Sequence, residues 1–250
     1  MSITSIYIDG KLPVIPGMKT LADFTVKNWF TDFPGTDGTP FAGYYFGTPV
    51  HDITLNSFDN AVPLTIVGTV TNANGYATVG TDNYLDTHEK SPVSITAAAC
   101  FVRPPTPAAN MWFLADFSGS GLGSTGWAIG IGANGKLRLA AQVADQANAT
   151  VAELDFPTSV LVGNECAITA FIRQGTITVT VYNPSTQTYV SNAVTLPGTR
   201  AAGTNDILIG RKVDNNSSTA TIEIKAVVLI NGSLTTSQHV AVQQYLLGMS

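Results

Sequence analysis

The amino-acid sequence predicts an all-β fold: an antiparallel β-sandwich of jelly-roll type with an extended N-terminal arm and a short C-terminal helix. Short runs of β-branched and aromatic residues recur from about residue 51 onward, and turn residues separate them at regular intervals. No segment before the last part of the chain shows the 3.6-residue period of a helix. This pattern is typical of sandwiches and barrels rather than of βαβ units.

Length and composition allow one large all-β domain and exclude several classes of partner. The chain has 250 residues, which is enough to bury a sizeable core. Charged residues make up 12% of it, against about 25% in ordinary soluble domains. The net charge is −5 and no basic block occurs, so we expect neither nucleic acid nor an anionic membrane as a partner. A polar but uncharged surface suits dense packing or neutral partners such as glycans.

The first 50 residues differ in character from the rest of the chain. We predict an N-terminal arm over residues 1–50, used for docking or oligomerisation, and a sandwich over residues 51–250. The arm combines proline and glycine with many aromatic side chains, which need a surface to pack on. That surface is either the core of the same chain or a neighbouring subunit or scaffold. The aromatic residues in question are Phe24, Trp29, Phe30, Phe33, Phe41, Tyr44, Tyr45 and Phe46.

Two hairpin signals and two cysteines stand out within the predicted sandwich. Asn74-Gly75 and Gln174-Gly175 each separate two alternating runs, as tight hairpin turns do. The cysteines lie in the apolar runs "SITAAACFV" and "NECAITAFI", which predicts that Cys100 and Cys166 are buried thiols. A single disulfide between neighbouring strands is the alternative, since spacing alone does not decide it.

The last segment of the chain predicts a short helix. Thr235 can cap it, and Gln238 stands three residues later as the partner in a capping box. The apolar positions 242, 245, 246 and 249 then form one stripe. Because so short a helix is marginal alone in water, we expect it to lie on the sandwich and close its edge or end. We expect His239 of this helix to be exposed.

Several stretches match, in order, the pattern of a known superfamily. They are "GYATVGTDNYLDTHEKSPVSITAAACFVRP", "GWAIGIGANGKLRLAAQV", "NECAITAFIRQGTITVTVYN", "ILIGR" and "ATIEIKAVVLINGSLTTSQHVAVQQYL". This ordered set resembles the concanavalin A-like lectin/glucanase superfamily, and more narrowly the laminin G-like jelly-roll modules of phage structural and tail proteins. The resemblance covers roughly residues 60–250. It implies a lectin-like sandwich whose last strand is followed by a closing helix.

The chain departs from that pattern at three places. Cys166 stands where the family usually has an exposed tryptophan, and Lys225 stands near a position that is often acidic. The segment Tyr182-Asn183-Pro184 replaces the usual Tyr-Val-Asp-Gly turn. These differences leave the expected sandwich intact but weaken any site that the resemblance would carry over.

The glucanase branch of the superfamily would require paired acids in an E-x-D-x-x-E motif on one strand. The chain offers Glu153 and Asp155, but Thr158 occupies the third position. We therefore expect no enzyme activity, and we interpret the two acids as part of a solvated strand or loop. His88 lies beside Asp86 and Glu89 in "DTHEK", where a metal or acid/base role competes with a simple polar loop.

Glycan binding and calcium binding remain as candidate functions of the surface. A sugar would stack on exposed aromatic side chains, and the candidates are Trp112, Trp127, Tyr84, Tyr182 and Tyr189. For the two tryptophans the alternative is a place in the core, because each lies in an alternating run. Lectin-like sandwiches often hold calcium with loop oxygens. The loop candidates are Asp82, Asp86, Asp116 and Asp214, with Asn83 and Asn215.

Three functions are consistent with these observations. The first is a virion-associated structural protein that displays the sandwich on a phage tail, baseplate or capsid. It would contact itself and other virion proteins through residues 1–50. The second is a carbohydrate-binding module, which can coexist with the first, and the third is a glycan hydrolase. The N-terminus shows no signal-peptide pattern, so we expect synthesis in the host cytoplasm and a place on the virion surface.

Overall fold

The computed structural model describes residues 29–47, 52–214 and 218–249. It shows two antiparallel β-sheets and one C-terminal helix, which confirms the predicted antiparallel β-sandwich. Predictions for most of the N-terminal arm, including Phe24, and for Asn215 lie outside the described residues. No helix in the described part of the chain is long and apolar enough to cross a membrane.

One sheet has eight strands. Its strands are β1 (Thr39–Tyr45), β3 (Thr71–Ala73), β4 (Tyr76–Val79), β6 (Ile95–Val102), β11 (Glu165–Arg173), β12 (Thr176–Asn183), β13 (Thr188–Thr195) and β15 (Ile222–Asn231). The order across this sheet is β13-β12-β11-β6-β15-β4-β3, and β1 also pairs with β15. The long strands β6, β11 and β15 therefore form its centre.

The second sheet has seven strands. They are β2 (Thr65–Val67), β5 (Tyr84–Lys90), β7 (Met111–Ala115), β8 (Trp127–Ile131), β9 (Leu137–Ala141), β10 (Thr150–Leu154) and β14 (Asp206–Ile209). The order across the sheet is β10-β9-β8-β7-β14-β5-β2. The four-stranded half β7–β10 is a meander of consecutive strands, so local hairpins build the part of the sheet that carries the candidate site.

Alternation of side chains places the core between the two sheets. In β11, Cys166, Ile168 and Ala170 point into the core, while Thr169 points to the outer face. The rings of Phe101 in β6 and Phe113 in β7 meet across the two sheets, with centroids 4.9 Å apart. The period of two in the sequence thus specifies which face of each strand is buried.

The two predicted tight turns occur as expected. Asn74 and Gly75 have φ values of 55° and 85°, and they join β3 to β4. Gly175 has a φ of 88° in the turn between β11 and β12. Glycine is favoured there because a side chain would strain a left-handed backbone.

Both cysteines are free and buried, so the predicted buried thiols are confirmed. Cys100 and Ala167 are register partners, as are Phe101 and Cys166. The Cys166 side chain lies in the core between the sheets, whereas Cys100 points to the opposite, outer face of its sheet. The thiols therefore lie on opposite sides of one sheet, which excludes a disulfide in this fold.

The described part of the predicted arm packs on the domain of its own chain. Residues 39–45 form β1, which pairs with β15 in the centre of the sandwich. Trp29 packs against Tyr45 and Phe58, at centroid distances of 5.8 and 6.3 Å, and its indole N–H donates to the Ser57 hydroxyl. Of the two interpretations of the arm, residues 29–47 fit the one in which it packs on its own domain.

Helix α1 (Thr236–Gly248) begins at the predicted capping box. The Thr235 hydroxyl accepts a hydrogen bond from the Gln238 backbone N–H, and the Gln238 side chain accepts one from the Thr235 backbone N–H. Val242 and Leu246 are fully buried. The helix does not close an edge or an end of the sandwich; it lies across the outer face of the eight-stranded sheet. Small and apolar side chains of β6, β11 and β15, among them Ala98, Ala167 and Val228, lie on that face, and their burial favours the position of α1.

The prediction that His239 of this helix is exposed is wrong. Its side chain is 7% exposed rather than solvated. It lies between α1 and the sheet, where its Nδ1 is 2.7 Å from the Thr169 hydroxyl. Gln243 donates to the Thr180 hydroxyl at 2.7 Å in the same layer. We call the outer side of the eight-stranded sheet, with α1 and residues 29–33 packed on it, the covered face.

Candidate functional site

The outer side of the seven-stranded sheet carries the candidate site, and we call it the open face. Cross-strand register places Trp112, Gly130, Arg138 and Glu153 side by side on β7, β8, β9 and β10. Successive residues of a strand alternate between faces. The side chains of Trp112, Arg138 and Glu153 therefore point away from the core and form one polar and aromatic row across the meander, with Gly130 between Trp112 and Arg138.

A second row of small residues runs beside the first. Ala115 pairs with Ala128, Ala128 with Ala140, and Ala140 with Val151. Ala128 and Ala140 are only 1% and 5% exposed, because the side chains around them rise higher than their methyl groups. Ala128, Ala140 and Val151 of this row are thus the floor of a depression in the sheet surface.

The walls of this depression come from the first row and from neighbouring loops. Trp112 and Arg138 stand on one side, whereas Phe117, Asn148 and Lys212 come from the loops. Together with the alanine floor they enclose a groove of about 320 Å³. Small-molecule sites have volumes of roughly 300–1,000 Å³, so the groove is large enough for a small ligand.

Trp112 lies close to the sheet because of Gly130. A β-carbon at position 130 would lie 2.8 Å from Cε3 of Trp112 and 2.2 Å from the Met111 carbonyl oxygen. The Arg138 guanidinium stands over the Trp112 ring, with its central carbon 5.7 Å from the ring centroid. It also donates to Asn110 Oδ1 at 2.7 Å, and these contacts hold both side chains in place.

The two cations of the groove have acidic neighbours. Arg138 Nε is 3.1 Å from Glu153 Oε1, and Lys212 Nζ is 3.4 Å from Asp214 Oδ1. Lys212 also lies over the Phe117 ring, 5.3 Å from its centroid. The groove therefore combines aromatic and apolar surface with hydrogen-bonding groups, without a strong net charge. Such a surface suits an uncharged polar ligand with apolar patches.

The five aromatic residues predicted to bind carbohydrate do not form one site. Trp112 lines the groove, whereas Trp127 is fully buried in the core and its indole N–H donates to the Ser91 hydroxyl at 2.7 Å. Trp127 thus cannot stack on a ligand at the surface, as the alternation of "WAIGI" indicated. Tyr84 lies on β5, elsewhere on the seven-stranded sheet, and Tyr182 and Tyr189 lie beside α1 on the covered face.

The aspartates predicted to bind calcium are also dispersed. Asp116 is fully buried and accepts the Trp127 backbone N–H at 2.7 Å; burial raises the pKa of its carboxyl. Asp214 lies beside Lys212, and Asp82 lies in the bend before β5. Only Asp86 belongs to a group of three potential ligands found in the described residues, together with His88 and Asp206. No three of the four aspartates converge on one calcium site in that part of the chain.

Each of the two acids of the incomplete glucanase motif forms an ion pair with a basic residue. The basic residue lies on β9 for Glu153 and just before β9 for Asp155. Glu153 contacts Arg138, and Asp155 Oδ2 is 2.9 Å from Lys136 Nζ. Glu153 thus belongs to the row beside the groove rather than to a pair of neighbouring acids. The contribution of Glu153 to the site is to hold Arg138.

Sequence reasoning missed most of the groove. Arg138 could have been found, because the alternation in "LRLAA" places it on the face opposite Leu137 and Leu139. Phe117 and Lys212 are 95 positions apart in the chain and meet only because their loops lie at the same end of the sheet. No local signal in the sequence marks that meeting.

Comparisons with known proteins identify the architecture but no family. Neither a family model nor a curated protein sequence matches the chain. Solved structures do match. The binding domain of Paraclostridial Mosquitocidal Protein 1 has a TM-score of 0.62 at 10% identity, over 83% of this chain and 52% of that one. A second match is the structure that shows the dependence of botulinum neurotoxin type C cell entry on two ganglioside molecules. It has a TM-score of 0.62 at 11% identity, over 83% of this chain and 51% of that one.

A third match covers nearly the whole length of the other protein. Domain 4 of AbnA, an extracellular arabinanase of Geobacillus stearothermophilus solved with arabinotriose, has a TM-score of 0.57 at 15% identity. The alignment spans 83% of this chain and 99% of that domain. The chain spans about half the length of the toxin binding domains that it matches. At such identities these likenesses establish a shared β-sandwich fold.

Proposed function

We propose that this protein binds a glycan in the groove of the open face. The observation that carries the proposal is a groove whose walls include the half-buried Trp112 indole and Phe117, above a floor of alanines and beside Arg138 and Asn148. The C–H groups of a sugar ring pack on an aromatic face, while its hydroxyl groups accept and donate hydrogen bonds. The groove offers both kinds of contact within the span of a short oligosaccharide.

The structural neighbours support this class of ligand. Domain 4 of AbnA was solved in complex with arabinotriose, and cell entry of botulinum neurotoxin type C depends on interaction with two ganglioside molecules. Both ligands contain sugars. The finer resemblance to concanavalin A-like, laminin G-like modules points in the same direction and is part of the proposal. The low charge of the chain provides little electrostatic attraction for a strongly charged ligand, which agrees with a neutral glycan.

Binding to a glycan array, followed by calorimetry on each positive glycan, tests the proposal. Replacing Trp112 with alanine removes an aromatic contact, and about 0.5–1.5 kcal/mol corresponds to a loss of roughly two- to thirteenfold in Kd. Tyr84→Ala is the matched control, since it removes an aromatic side chain from the same sheet outside the groove. Absence of any glycan ligand, or equal affinity in the wild type and Trp112→Ala, would contradict the proposal.

We propose in addition that the sandwich is displayed on a virion surface after synthesis in the host cytoplasm. The low-charge composition supports this proposal, because a polar but uncharged surface suits dense packing. The test is the mass of the purified assembly that this protein forms, measured with and without residues 1–28. The deletion must stop there, because residues 39–45 supply β1 of the sandwich. A monodisperse monomer that the deletion leaves unchanged would count against display through this segment.

A further inference from the structure

An irregular part of the seven-stranded sheet brings one imidazole and two carboxylates together. Asp206 of β14 pairs with Lys90 of β5, and Leu208 pairs with Asp86. The β5 residues between these two pairs therefore face a single residue of β14, and the strand bulges. His88 sits within the bulge with a left-handed φ of 57°. Bulges re-aim side chains, and this one directs His88 toward Asp86 and Asp206.

The three side chains offer ligand atoms at short range. Nδ1 of His88 is 3.6 Å from Asp86 Oδ1 and 3.8 Å from Asp206 Oδ2. One ligand atom from each of the three residues lies within 4.8 Å of the other two. Zinc binds imidazole nitrogen and carboxylate oxygen at about 2.0–2.2 Å. Ligand atoms around such an ion are about 3–3.6 Å apart, so small side-chain rotations would bring these three to bonding distance.

A contact from outside the group defines the role of the imidazole. Nε2 of His88 is 2.7 Å from the Thr65 hydroxyl of β2. Metal-binding histidines commonly donate their second N–H to an oxygen atom, which fixes the tautomer and orients the ring. When Nε2 donates to Thr65, Nδ1 presents a lone pair to the two carboxylates. Three acceptors then face one another, an arrangement that a cation stabilises.

The remaining contacts leave room for that cation. Lys90 Nζ lies 2.6 Å from Asp206 Oδ1. Its ammonium group therefore pairs with the Asp206 oxygen that does not face His88. The His88 backbone N–H donates to Asp86 Oδ1 at 2.9 Å, which holds this carboxylate beside the imidazole. The side chains of His88, Asp86 and Asp206 are 44%, 26% and 30% exposed. An ion can therefore reach the group from solvent and keep water as a further ligand.

We propose that Asp86, His88 and Asp206 form a binding site for a divalent first-row transition-metal ion of the zinc class. One nitrogen and two oxygen ligands suit zinc better than calcium, which takes six to eight oxygen atoms. The rival interpretation is a protonated His88 that forms ion pairs with both aspartates in the absence of metal. The two interpretations differ in stoichiometric metal uptake, and metal binding must compete with protons on His88.

Titration of the full-length chain with zinc chloride in a calorimeter at pH 7 tests the proposal. We expect one equivalent of zinc per chain, and at least a tenfold weaker Kd in His88→Gln and in Asp206→Asn. His239→Gln and Glu153→Gln are the matched controls, because they remove a histidine and an acid elsewhere and should leave the Kd unchanged. Circular dichroism of each variant checks that the sandwich is folded.

A further measurement makes the outcome decisive. Titration with calcium chloride should give a much weaker Kd than titration with zinc chloride. The proposal is overturned if the wild type takes up no stoichiometric zinc. It is overturned equally if both site variants bind zinc like the wild type, or if calcium binds more tightly than zinc.

Discussion

The covered face and the open face of the sandwich are built alike but are completed differently. Both present alanines along neighbouring strands: Ala98, Ala167 and Ala226 on the covered face, and Ala128 and Ala140 on the open face. On the covered face, α1 packs Val242 and Leu246 onto the small residues. On the open face, no helix of the described chain lies on the alanines, and the groove remains accessible.

Because of this difference, the covered face contributes to the stability of the protein and the open face to the proposed binding of a ligand. Apolar surface buried under α1 contributes to the free energy of unfolding at roughly 25 cal/mol per Å². The part of the apolar surface that the groove leaves exposed contributes only when a ligand covers it. Substitutions on the covered face should therefore change stability, and substitutions on the open face should change binding. Three predictions test this contrast, beginning with the largest expected effect.

Leu246→Ala should destabilise the protein strongly. Leu246 is fully buried between α1 and the eight-stranded sheet, and truncating a buried leucine costs about 2–5 kcal/mol. Urea denaturation followed by circular dichroism measures the loss. The control is Val151→Ala at the groove, where the side chain is only partly buried. A loss at position 151 as large as that at position 246 would contradict the distinction between the two faces.

Acid should weaken the attachment of α1 through His239. Desolvation lowers the pKa of this imidazole to about 4 in the folded protein, below its ordinary value of 6.5. The unfolded chain then binds the proton more readily, so the stabilisation is complete above pH 6.5 and is lost as the pH falls toward 4. The loss reaches at most about 3 kcal/mol, at 1.36 kcal/mol for each pKa unit.

The difference between the wild type and His239→Gln isolates this effect. Burial also raises the pKa of the Glu89 carboxyl, but Glu89 is common to both proteins. Urea denaturation at pH 7 and pH 4.5 should show a steeper loss of stability in the wild type than in the variant. Equal pH dependence in the two proteins would mean that His239 does not need to stay neutral.

The covered face was the more predictable of the two from sequence. Alternation identified the strands, and the pair Thr235 and Gln238 identified the start of α1, because these signals are local. The error at His239 came from judging the residue by its polarity. Its spacing from Val242 and Leu246 is helical, three and seven positions, which places all three side chains on one stripe.

The open face was less predictable because register across strands creates it. Trp112 was identified as an aromatic candidate, but its neighbours Gly130 and Arg138 follow from pairings of β7 with β8 and β8 with β9. A shift of one residue would turn each side chain to the opposite face. Trp127 shows the same dependence, since its place in "WAIGI" directs it into the core. Composition alone does not distinguish these two tryptophans.

The last prediction compares two lysines, one on each face. Lys225 Nζ lies 3.0 Å from Glu165 Oε1 on the covered face, where the side chains are 10% and 26% exposed. The same carboxylate also accepts the Tyr76 hydroxyl at 2.6 Å. Lys225→Ala leaves this largely buried carboxylate without its cation, which should cost about 2 kcal/mol.

Lys212→Ala on the open face should cost less than about 1 kcal/mol, because its ion pair with Asp214 lies in a more solvated place. Thermal unfolding of both variants at pH 7 gives the comparison directly. The Lys212 variant should instead lose affinity for any glycan bound in the groove, since the lysine lies over Phe117 in its wall. If Lys212→Ala lowered the Tm as much as Lys225→Ala, the groove would belong to the structural framework and not to a surface kept for a ligand.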